Sequence, residues 1–193
     1  LSLARFVAMD LETTGPNMLR DRIISIGAVA VVERAVRHDD AFEVVVRQAS
    51  ESRADNILIH QIGGQEQRAG VEPMDALLSF LEFLDGSIAV AFRSEFDSTV
   101  LGRELQDSLG IRAGPRFLDL ASMLPALFPN TPNDSLDDWA RYFGLPPIGR
   151  HHAIADAYAN AQLLLLALEK AQRLHLATAA NLLSMDGQRE AAI

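Results

Sequence analysis

The ten-residue run from Ile23 to Val32 (Ile-Ile-Ser-Ile-Gly-Ala-Val-Ala-Val-Val) constrains this chain most. It carries no charge and is rich in β-branched side chains, which reads as a central strand of a sheet. On its N-terminal side, Phe6 to Glu12 is a short apolar run entering an acidic turn, and Thr13-Thr14-Gly15-Pro16-Asn17 is strong turn chemistry. On its C-terminal side, Ala41 to Val46 reads as a third strand, after a polar turn at His38-Asp39-Asp40. The pattern then changes. Leu77, Leu78, Leu81 and Leu84 recur at helical spacing, Ile88 to Phe92 is a short buried strand, and Phe96 to Leu109 is a helix stopped by Gly110. Phe117-Leu118 starts a brief strand, with Asp119 placed to cap a helix through Leu127. Ser135 opens a further helix that ends at Gly144, and the last helix runs from about Ala153 to about Leu174. Strands first, then strands alternating with helices, give an α/β fold whose mixed sheet is packed by helices.

Composition removes several classes of function. The 193 residues suit one domain, 1–175, followed by a tail, 176–193, that could form a short docking helix. With no cysteine there is no disulfide framework, thiolate zinc site or Cys nucleophile. No apolar run reaches the ~18 residues of a membrane helix, and no signal-peptide pattern is visible, so a cytoplasmic protein without a membrane partner is expected. Seventeen basic and 26 acidic residues leave a net charge of −9. That argues against gripping long duplexes through a basic face. It leaves room for carboxylates that hold divalent cations, which in turn meet a phosphate.

Asp10 and Glu12 are two apart on a strand and therefore share a face, with Met9 and Leu11 turned to the other side and into the core. Two carboxylates so placed repel unless a cation lies between them, and an oxygen-only pair suits Mg²⁺ or Mn²⁺. Solvated acids at a strand exit are the plain alternative. Asp97 falls in the first turn of the helix after the buried strand, where the helix dipole alone would favour an acid. Asp156 lies near the start of the last helix, five residues after His151. Five residues turn a helix by about 500°, so the two do not share a face. His151 is expected on the preceding loop, able to swing over a site, with His152 as a solvated or capping residue.

Together these residues resemble one family. Asp10-Leu11-Glu12-Thr13-Thr14-Gly15, then Phe96-Asp97, then His151-x-Ala-x-x-Asp156-Ala157 follow the order of the three motifs of the DEDDh (DnaQ-like) 3′–5′ exonucleases. That family includes the proofreading epsilon subunit of DNA polymerase III, ribonuclease T and oligoribonuclease. The resemblance spans roughly Arg5 to Arg173. Ile59-His60-Gln61-Ile62 resembles the family's I-H-G-I segment. One motif departs: the family's A-H-N-x-x-F-D is Ala91-Phe92-Arg93-Ser94-Glu95-Phe96-Asp97 here. The acid is kept, and Arg93 is left to pair with a phosphate, with Glu95 or with Asp97.

The resemblance implies a ribonuclease H-like fold with a mixed five-stranded sheet flanked by helices. It implies that Asp10, Glu12, Asp97 and Asp156 hold two divalent cations, Mg²⁺ or Mn²⁺, and that His151 is the general base. Leu11, Thr13, His60 and Phe96 would lie near the terminal nucleotide, with core packing the alternative for Leu11 and Phe96. The expected reaction releases nucleoside 5′-monophosphates from 3′ ends of single-stranded or frayed DNA or RNA. A polymerase or another replication or repair protein would be a possible partner. Two other classes stay open: a non-catalytic nucleic-acid-binding or regulatory module of the same fold, and a phosphohydrolase of small phosphoesters.

Overall fold

A computed structural model describes residues 5–131, 134–146 and 151–175. The expected tail at 176–193 lies outside the described residues. Strands β1 (Phe6–Thr13), β2 (Ile23–Val32) and β3 (Ala35–Val45) form an antiparallel meander. Helices α1 (Ala54–His60), α2 (Gly64–Ala69) and α3 (Pro73–Leu84) lead to β4 (Ile88–Ala91), which pairs parallel to β1. Helix α4 (Ser94–Leu109) leads to β5 (Phe117–Asp119), parallel to β4, and α5 (Leu120–Leu127), α6 (Leu136–Tyr142) and α7 (Ala153–Arg173) complete the order. The sheet reads β3-β2-β1-β4-β5, five strands of mixed sense, as expected.

Strand alternation decides which face receives which helix. Phe6 and Ala8 of β1 pack with Val29 and Val31 of β2 against α5, α6 and α7. Val7, Met9 and Leu11 pack with Ile26 and Ala28 against α3 and α4. The β2 run is buried from Ile23 to Val31 because both faces of the sheet are covered. Asp10 and Glu12 continue the Phe6–Ala8 series, so they emerge on the side that α7 occupies.

Two expectations change. The β2–β3 turn is not at His38-Asp39-Asp40 but at Glu33-Arg34, both with positive φ (51° and 64°), as a two-residue hairpin turn requires. The three polar residues lie within β3, where the register jumps: Val29 faces Ala41 and Ala30 faces Arg37. An exposed edge strand tolerates such an irregularity, and its charges discourage pairing with another chain. Helices α1 and α2 were not expected. Each buries only one polar side chain, His60 and Gln67 respectively, so neither shows an apolar period.

Candidate active site

Helix α7 brings its first turn against the end of β1. One carboxylate oxygen from each of Asp10, Glu12 and Asp156 lies within 4.8 Å of the other two. Asp156 is buried, its amide donating to the His152 carbonyl at 3.0 Å. Gly27 explains how the helix comes so near. It faces Asp10 across the β1–β2 pair, on the α7 side. A Cβ at this position would stand 2.1 Å from the backbone of Ala153 and Ile154.

Asp97 reaches the site from the first turn of α4 and is buried. The backbone of Asp97 itself and of Leu11 favours its charged form, and the charges of Asp119 and Glu12 oppose it. Burial first, and then the charges of Asp119 and Glu12, push its pKa from 3.8 up to about 7. The sequence expects four acids as one set. The structure gathers three in mutual reach, and Asp97, outside that group, is linked to it through the charge of Glu12. An oxygen-only donor set of this kind, with a neighbouring acid pushed toward its neutral form, fits a hard divalent cation whose charge would offset the crowding.

The proton on Asp97 gives a signed expectation for the metal-free protein. Between about pH 4 and 7 the folded state keeps this proton while the unfolded state sheds it, so stability falls as pH rises through that range. The loss is a few kcal/mol in order of magnitude. Chemical denaturation in EDTA is therefore expected to show wild type losing stability relative to Asp97→Asn across this interval. A constant difference between the two would contradict the environment described.

Asp119 fixes the α4 entry. Its Oδ1 accepts from the amides of Arg93 (2.7 Å), Ser94 (3.1 Å) and Ala121 (3.1 Å). Its Oδ2 accepts from the Ser122 amide (3.1 Å) and hydroxyl (2.7 Å). One side chain thereby caps the starts of both α4 and α5. The sequence assigns it only to α5.

The remaining expected residues are placed unevenly. His151 lies on the loop before α7, exposed, with a left-handed backbone (φ 64°). His152 is the N-cap residue but makes no side-chain cap. Leu11 is buried in the α3–α4 core, which removes it as a surface for stacking bases. Phe96 is half-buried on the same core. Thr13 is buried, and its hydroxyl donates to the Gly15 carbonyl at 2.7 Å, fixing the turn after β1.

His60 departs most from expectation. It is fully buried, its Nδ1 accepts from the Ile62 amide at 3.0 Å, and its Nε2 lies 3.2 Å from the Ser52 hydroxyl. Burial lowers its pKa. Both ring nitrogens are committed to holding the 52–67 segment, so neither faces a nucleotide. Among the described residues the Arg93 guanidinium pairs with neither Glu95 nor Asp97 but donates to the Asp134 carbonyl at 2.9 Å, while Phe92 packs on the α5–α7 core. Gly27 is a supporting residue that motif reading passes over, as is the role of Asp119 at the start of α4. The glycine inside an otherwise β-branched strand was a visible signal for Gly27. No helix among the described residues is long and apolar enough to cross a membrane.

Sheet order and acid cluster together define a ribonuclease H-like α/β protein with a carboxylate centre suited to divalent cations. The chain belongs to the exonuclease family whose model, RNase_T, matches residues 7–164. It is 29% identical over 187 residues to a PolC-type DNA polymerase III of Caldanaerobacter subterraneus subsp. tengcongensis, covering 96% of this chain and 13% of that one. It is 27% identical to the DNA polymerase III subunit epsilon of Buchnera aphidicola, covering 84% of this chain and 72% of that subunit. The chain thus spans only about an eighth of the PolC-type relative. Among solved structures, E. coli Exonuclease I in complex with a dA16 oligonucleotide superposes with a TM-score of 0.78 at 18% identity, covering 89% of this chain and 42% of that one. That likeness concerns the fold.

Proposed function

We propose that this chain is a metal-dependent 3′–5′ exonuclease, releasing nucleoside 5′-monophosphates from single-stranded or frayed DNA or RNA 3′ ends in a cytoplasmic setting. The convergence of Asp10, Glu12 and Asp156, with the buried Asp97 feeling the charge of Glu12, carries this reading. These four residues would hold two divalent cations, Mg²⁺ or Mn²⁺. Such ions supply charge for the scissile phosphate and acidify an attacking water. Four carboxylates and two such ions cancel, so an anionic phosphodiester can enter an acidic protein. His151, on its exposed loop, would take the proton from the attacking water, a role imidazole side chains commonly fill. Phe96, which keeps some exposed surface, would contact the terminal nucleotide together with the turn that Thr13 fixes. A polymerase is the partner class that the relatives' names support, with a replication or repair protein as the broader class.

The test is digestion of 3′-labelled single-stranded DNA and RNA of matched sequence, with products identified by mass spectrometry. Mononucleotides carrying 5′-phosphate should appear with Mg²⁺ or Mn²⁺ and vanish with EDTA. His151→Ala should slow the reaction more than His152→Ala. Absence of cleavage across both polymers and both metals would leave a binding module instead.

A further inference from the structure

Asp156 and Asn160 lie one helical turn apart on α7, four residues apart on the face turned toward β1. Asn160 is fully buried, and its Nδ2 donates to the Met9 carbonyl at 2.9 Å. Met9 immediately precedes Asp10, and the β1–β4 pairing stops one residue earlier, at Ala8. The other end of the same amide is stranded: Oδ1 is buried and has no hydrogen-bond partner among the described residues. Ala157, Ala161, Leu163 and Leu164 around it on α7 are buried and apolar. An apolar side chain would fill this position without stranding an oxygen, which is ordinarily costly in an interior. What asparagine adds is one directed bond to the β1 backbone beside the acids. Gly27 lets α7 approach; this bond fixes where it stops.

We infer that Asn160 is a positioning residue for the carboxylate centre: its amide ties α7 to Met9, holding Asp156 at the distance from Asp10 and Glu12 that a divalent cation requires. The inference rests on the reading of that centre as a cation site. It assigns Asn160 to the metal's affinity, with no part in the chemical step.

The experiment titrates the full chain with Mn²⁺, following free Mn²⁺ by electron paramagnetic resonance, beside thermal unfolding in EDTA. Loss of one directed bond should weaken Mn²⁺ binding about tenfold in Asn160→Leu. The Mg²⁺ concentration for half-maximal rate should rise in parallel, with the rate at saturating Mg²⁺ kept within about threefold. Leu168→Ala, in the core eight residues further along the same helix and remote from the acids in sequence, should lower the melting temperature and leave Mn²⁺ affinity unchanged. If Asn160→Leu does not fold, Asn160→Ser is read the same way. Wild-type Mn²⁺ affinity in the Asn160 variant, or equal weakening in Leu168→Ala, overturns the assignment of Asn160 alone. A wild-type chain that binds no Mn²⁺ overturns the cation site and this inference with it.

Discussion

Asp156→Asn should lower the rate of 3′-end shortening by at least about 1,000-fold while leaving the fold intact. Asparagine has nearly the shape of aspartate, so the α7 first turn and its packing are undisturbed. What is lost is one of three carboxylates whose oxygens lie within 4.8 Å of each other. The same loss shows in metal-linked stability. Divalent cations that stabilise wild type should stabilise the variant far less, because ligand-linked stability scales with affinity. Asp10→Asn should behave alike. Activity near wild type in either variant would remove that acid from the centre.

Gly27→Ala is the second large effect, and it comes from a residue with no chemical group to offer. One methyl group at this position would lie 2.1 Å from the backbone of both Ala153 and Ile154, and backbone cannot swing aside as a side chain can. Either β2 or the start of α7 has to shift. Overpacking of this kind costs about 1–3 kcal/mol, occasionally more. The shift also moves Asp156, three residues from Ala153, away from β1. A displacement of about 1 Å at reacting groups can cost about 100-fold in rate. The expected variant is thus folded, less stable, and slower by about two orders of magnitude. Denaturant melts and digestion rates measure both. Loss of stability without loss of rate would mean that α7 tolerates the shift.

The parts of this protein legible in its sequence are those where one side-chain type has one physical use. The uncharged β2 run forces a central strand, and the two-residue spacing of Asp10 and Glu12 forces a shared face. Gly110, at φ 70°, ends α4 as read, and Asp119 caps α5 as read. Legibility fails where tertiary context chooses among uses. His38-Asp39-Asp40 carries turn composition, yet an exposed edge lets it run on as strand. Leu11 reads as core from the alternation of β1 and as a nucleotide contact from the family resemblance, and the packing of α3 and α4 sides with the core. His60 offers two nitrogens to any ligand, until Ser52 and the Ile62 amide occupy both. Helices α1 and α2 bury no apolar face and left no period to read. The acids were visible as motifs. The contacts that space them, through Gly27 and Asn160, required the packing of α7 on the sheet.

The central claim is that acids distant in sequence form one cation centre. Crystals grown with Mn²⁺ and measured at its absorption edge test it most directly. Anomalous density is predicted among Asp10, Glu12 and Asp156, close to Asp97, and gone in Asp156→Asn crystals treated alike. Saturating Mn²⁺ with no anomalous peak among these carboxylates, or a peak that survives in the variant, would contradict the claim.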